Sequence, residues 1–171
     1  MKRIVKIMAV AALVLVSYTA KAELAPQWSK GTMIANANIG IGDNADFGTT
    51  VSLDYVLVDE WWKGHFTVGG EVGFSTWENK SLSDKNFGFT PRVTYGLNIT
   101  PKFEVHAIVG MGLGLQSEKD KVNDKTSENL FITWNDMVGC RFFFTENFGV
   151  MAEAGVSYRM PELRIGFSIK L

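Results

Sequence analysis

The chain is poor in cysteine, in proline and in histidine. Its one cysteine, Cys140, cannot close an internal disulfide, so an oxidising compartment would go unused for stapling. Four prolines beside 17 glycines exclude a proline-rich linker and suit tightly curved strands. Neither sign of charge prevails. With 17 Lys and Arg, 18 Asp and Glu and a formal net charge of -1, the composition argues against nucleic acid as a partner and against a polybasic membrane-surface role. Beyond residue 22 no apolar run reaches the roughly 17–25 residues that a membrane-spanning helix needs.

What is present begins with a leader. Lys2, Arg3 and Lys6 form a basic region, residues 7–16 an apolar one, and Ala20-Lys21-Ala22 a small-residue cleavage site. This is the pattern of a secretory signal peptide over 1–22. The only cysteine lies far from that site, which argues against lipoprotein anchoring. Residues 23–171 are enough for one domain and too few for two.

Within that domain the dominant signal has a period of two. It is clearest at the end of the chain, where Phe148, Val150, Ala152, Ala154, Val156 and Tyr158, then Leu163, Ile165, Phe167, Ile169 and Leu171, form one row. Glu153, Arg159, Arg164, Ser168 and Lys170 sit in the other. Two alternating runs separated by Met160-Pro161-Glu162 predict a hairpin. The same pattern predicts strands over 31–41, 47–58, 65–77, 85–97, 103–116 and 128–144, eight in all. No helix follows to cover their apolar faces. Lipid is the natural cover, with the polar rows facing a lumen, so the expected fold is all-β: an eight-stranded antiparallel up-and-down transmembrane β-barrel.

Several local expectations follow. Pro91 removes a ladder donor from the fourth strand and allows a bulge there. Asp136 interrupts the apolar row of the sixth strand. Either the upper part of that strand projects beyond the membrane, or a bulge near Asn135 turns the carboxylate inward. The stretches 78–84 and 117–127 are polar and long, whereas the connections after the second, fourth and sixth strands are compact. Short turns belong in the periplasm and long loops outside, which assigns the barrel its polarity. Trp61, Trp62, Trp77, Trp134 and Tyr158 are expected at the membrane–water interfaces, where amphipathic rings settle.

Residues 97–105 and 143–150 echo each other: an apolar strand end, a turn built on Thr100 or Thr145, then Phe and, two residues on, Val. In this pattern the chain resembles the small outer-membrane β-barrel family of OmpA-barrel and OmpX-like, porin-like proteins. The resemblance implies a cell outer membrane location, a lipid environment, delivery by the barrel-assembly machinery, a monomer, and loops open to an extracellular ligand or surface. Such barrels commonly end on an aromatic residue. This one ends on Leu171, leaving Phe167 for that role.

The inward rows collect Asp54, Glu71, Glu104 and Glu153 against Arg92, Arg141, Arg164 and Lys170, with His106 among them. Buried charges persist when they are paired and hydrogen-bonded, and eight strands leave an interior that side chains can fill. A salt-bridged plug is the expected filling; a low-conductance pore through Glu104 and His106 is the alternative. A soluble lipocalin-like carrier of an apolar ligand would need the rows reversed. Catalysis is not expected. His65 is placed at the periplasmic rim and His106 inside near the same end, neither beside a serine and an acid on the lipid face. No metal or cofactor is expected either. Glu118, Asp120, Asp124 and Glu128 are interleaved with Lys119, Lys121 and Lys125 and read as a solvated charged loop. Gly110, Gly112 and Gly114 lie within a strand and open no helix, so they are lumen spacers rather than a phosphate loop.

Overall fold

The computed structural model describes residues 28–62 and 64–171; the leader expected over 1–22 lies outside them. The described residues form eight strands: β1 (Met33–Gly42), β2 (Ala45–Trp61), β3 (Gly64–Glu78), β4 (Leu82–Thr100), β5 (Phe103–Asp120), β6 (Lys125–Phe143), β7 (Phe148–Ser157) and β8 (Leu163–Lys170). Each pairs antiparallel with the next, and β8 pairs antiparallel with β1, which closes the barrel. Ladder partners traced around the ring from Gly139 pass through Glu153, Arg164, Gly40, Gly48, Ser75, Asn86 and Gln116. They return to β6 at Asn129, ten residues from the start. That stagger tilts the strands by about 40° and fixes which inward side chains meet across the interior.

The two faces are as the alternation requires. Val109 is 63% exposed and Ile165 58%, whereas Glu104, Glu153 and Arg164 are at most 1% exposed. The apolar band thus lies outside and the charges inside, opposite to a soluble carrier. Small inward apolar contacts remain at one end, where Ile34, Val56 and Phe143 pack with Trp28.

Two local expectations are corrected and one open alternative is decided. The stretches 78–84 and 117–127 are mostly strand. Only residues 79–81 and 121–124 turn, and the ladder continues as Glu78↔Ser83, Leu82↔Asp120 and Glu118↔Ser127. Above the membrane both faces are wet, so the amphipathic alternation fades while cross-strand hydrogen bonds carry the sheet on. Pro91 makes no bulge. It pairs with Gly70, and pairing to β5 lapses at residues 90 and 91 and resumes at Arg92 in unchanged register. Asp136 is not turned inward either. It pairs with Val109 and Val156 without a register shift and points outward between Trp134 and Val138.

Both mouths are filled from within the chain. At the end shared by the described N- and C-terminal residues, Trp28 is 1% exposed. It packs on His65 at 5.7 Å and on Phe143 at 5.2 Å between ring centroids. At the other end the turn between β7 and β8 folds inward and buries Met160 and Pro161. Gly73 and Gly88 make its seat. A Cβ on either would stand 2.8 or 2.7 Å from the Met160 side chain.

Candidate functional site: the filled lumen and the protruding sheet

The interior charges form one connected spine. Trp28 Nε1–H donates to Glu104 Oε2 at the floor. Arg141 donates to Glu104 Oε1 at 2.8 Å, to Ser168 Oγ at 2.8 Å and to Asn36 Oδ1 at 3.4 Å. Asn36 in turn donates to Ser52 Oγ at 3.0 Å and Asp54 Oδ2 at 3.1 Å. Arg92 donates to both oxygens of Asp54, to Ser52 Oγ at 2.6 Å and to Glu71 Oε2 at 2.9 Å. Glu71 also accepts from Arg164 at 2.8 and 2.9 Å and from Asn135 at 3.0 Å. Arg164 ends the series by donating its Nε–H to the Pro161 carbonyl at 2.8 Å. Guanidinium planes and carboxylates suit this geometry because each arginine offers a fork of donors and each carboxylate up to four acceptor directions.

The predicted lumen residues are therefore brought together, with two differences. Lys170 is only half-buried and sits at the floor, its ammonium 5.5 Å from the Trp28 ring centre. His65 is at the start of β3, as expected, but is fully buried under Trp28, with Nε2 3.8 Å from Glu104 Oε2. His106 bridges two acids, Nδ1 at 3.2 Å from Glu104 and Nε2 at 3.4 Å from Glu153. Gly139 makes this possible, since a Cβ there would lie 2.6 Å from His106 Nε2. Sequence reasoning missed Trp28, because a lone tryptophan before the first strand carries no periodicity. It missed Asn36, Ser52 and Ser168 as spine members too, since their inward phase did not mark them among other small polar residues.

Of the expected interfacial aromatics, Trp61 and Trp62 stack at 6.0 Å in the turn between β2 and β3, with Trp61 5.9 Å from Tyr95. Trp134 and Tyr158 lie at the opposite end on the outer row, joined by a bond from Tyr158 N–H to the Trp134 carbonyl at 3.1 Å. Trp77 differs. It shares the inward phase of Glu71 and Ser75 and is half-buried opposite Asp84, above the lipid-facing band.

Beyond Trp134 and Tyr158, β3 to β6 continue as a protruding four-stranded sheet. Its tip is tied by a bond from Lys121 N–H to the Ser81 carbonyl at 2.9 Å and by ion pairs of Lys121 with Glu78 and Lys119 with Asp124. The bond from the Lys121 ammonium holds the Glu78 carboxyl below the usual range. Donors from the Asn123 side chain and the Val122 and Asn123 amides do the same for Asp120. Glu78, Asp120 and Asp124 are engaged by lysines and amides of the turn, and among the described residues no group of His, Cys, Asp and Glu is arranged to hold a metal ion.

Comparison with known proteins agrees with this architecture. Neisserial surface protein A (NspA) superimposes with a TM-score of 0.55 at 14% identity, covering 84% of this chain and 98% of that one. The N-terminal β-barrel domain of Pseudomonas aeruginosa OprF gives 0.56 at 16% identity, covering 84% and 100%. At such identities the likeness shows the fold. No curated protein sequence matches the chain. The outer membrane protein beta-barrel domain family matches over residues 8–161, and the chain, an eight-stranded barrel of the cell outer membrane, belongs to that family.

Proposed function

We propose that this protein is a closed, non-enzymatic barrel with a structural and surface-interaction role, exerted through the sheet that β3 to β6 raise above the membrane. The observation that carries the reading is the spine from Trp28 to Pro161. Both mouths are stoppered by the chain itself, and between them each arginine is bonded to a carboxylate. A filled interior leaves the outer surface as the part that meets other molecules. His65 and His106 are enclosed in the lumen with Glu104, off the lipid face, which supports a non-catalytic role.

A narrow pore is the second reading. Buried side-chain atoms of Thr67, Thr94 and Asn98 in the lower half have no hydrogen-bond partner among the described residues, a favourable lining for a thin polar path. Planar-bilayer recording on the refolded protein separates the two. The closed barrel gives no steady openings. Ion-selective openings that change with Glu104→Gln or Arg141→Gln would establish the pore instead.

A further inference from the structure

Above the turn between β7 and β8 the ring narrows to four strands. The last ladder pair between β2 and β3 is Phe47↔Thr76, and the last between β6 and β7 is Asn135↔Ser157. One step above Thr76, the inner side of the sheet carries a row of Trp77, Asp84, Glu118 and Ser127, each opposite its neighbour on the adjoining strand. Trp77 and Glu118 are half-buried, so the row can be reached from outside. Asn86 and Gln116 face the same side in the row beneath.

The charges of the upper row do not cancel. Asp84 and Glu118 face each other across one rung of the ladder, where like charges repel. The Gln116 amide donates to both, to Asp84 Oδ2 at 3.0 Å and to Glu118 Oε2 at 3.2 Å, but it is neutral. One cation serves the pair. Arg159 Nη1 stands 3.3 Å from Asp84 Oδ2, with its guanidinium held 5.6 Å over the Phe131 ring, and Glu118 makes no ion pair among the described residues. Asp120 and Lys125, opposite each other one row higher, offset one another. Two buried acceptors are idle as well. Asp84 Oδ1 and Asn86 Oδ1 have no hydrogen-bond partner among the described residues, although these residues are only 7% and 1% exposed. A buried acceptor without a donor is costly, so both call for N–H groups.

We propose that the inner face of the protruding sheet, between Trp77 and Glu118, is a binding site for a small organic ligand carrying a primary ammonium group. The ammonium seats over Asp84 and beside Glu118, where it supplies the positive charge that Arg159 alone does not. Its three N–H donors match the acceptors offered there, the idle oxygens of Asp84 and Asn86 among them. Facing residues on adjoining strands stand about 5 Å apart, so Trp77 and Glu118, two rungs apart, leave about 10 Å between their Cβ atoms. A short alkylammonium fits that gap, with its head among the carboxylates and its cationic end within reach of the Trp77 ring face. A metal ion is the weaker match, since among the described residues no acidic or histidine group is arranged to hold one. This deepens the surface-interaction reading and rests on it.

The test uses the whole barrel refolded in phosphatidylcholine vesicles and n-butylammonium as the probe, followed by saturation-transfer NMR at fixed ionic strength. Saturable binding is expected. Glu118→Gln and Trp77→Leu should each weaken it about tenfold or more, while heat-modifiable gel mobility is retained. Glu128→Gln, on the opposite side of the same sheet, should bind as the parent does. Butanol has the stem without the charge, and tetramethylammonium the charge without N–H donors; both should bind about tenfold more weakly or worse. Absence of saturable binding, no loss with Glu118→Gln or with Trp77→Leu, or an equal loss with Glu128→Gln overturns the site. Equal affinity for butanol or tetramethylammonium does so too. Displacement of the probe by an equimolar amount of magnesium would assign the acids to a metal ion and overturn the organic ligand. These results leave the closed barrel standing; only the conductance recordings address that.

Discussion

At the scale of single residues, the interior depends on carboxylates that serve several donors at once. Glu71 accepts from Arg92, Arg164 and Asn135. Glu71→Gln would leave two buried guanidiniums short of a counter-charge, and removing one partner of a buried pair costs roughly 3–5 kcal/mol. Urea unfolding in vesicles should show that loss, while Glu118→Gln, at the half-buried rim, should leave the midpoint in place. Asp136 is the opposite case, a carboxylate on the outer row between Trp134 and Val138, beside Val109 and Val156. Asp136→Leu should raise the unfolding midpoint, because charge on a lipid-facing row is unfavourable. The threonine echo also has a physical basis. Thr100 Oγ1 accepts from the Lys102 and Phe103 amides at 3.3 and 3.0 Å, and Thr145 Oγ1 from those of Asn147 and Phe148 at 3.4 and 3.0 Å. These local bonds set the turn, and the same sequence pattern made both turns legible beforehand.

At the scale of elements, the turn between β7 and β8 behaves as a stopper. Ser75 Oγ and Thr133 Oγ1 donate to the carbonyls of Arg159 and Tyr158, while Gly73 and Gly88 clear space for Met160. Gly88→Val should expel the turn. In a Cys140→Ser background, Met160→Cys should resist a membrane-impermeant thiol reagent, and the added Gly88→Val should make it reactive. Labelling without Gly88→Val would contradict the stopper. Strand identity was readable for all eight elements, since period-two alternation is imposed wherever one face meets lipid and the other a packed lumen. Strand length was not. β4 and β6 each run 19 residues, and residues 125–130 of β6 are exposed on both faces, so no alternation marks them.

At the scale of the whole molecule, closure joins distant parts. Trp28 reaches Glu104, 76 residues away, and Arg164 reaches Glu71, 93 away. Trp28→Ala should lower the unfolding free energy by about 3–5 kcal/mol, the usual cost of emptying a large buried aromatic site, and with it the urea midpoint. It should also uncover the Glu104 end of the spine. A midpoint unchanged by that substitution would show that the floor closes without it.

The sequence by itself determined the dyad, and with it the strand count, the inside-out sense of the barrel and the list of charges bound for the lumen. Those properties depend only on which side of a strand each residue occupies. Tertiary structure alone decided which charges pair and that Trp28 and Met160 close the ends. Each of these depends on the ten-residue stagger of the closed ring. That stagger brings remote strands to a common height, and no local pattern along the chain encodes it.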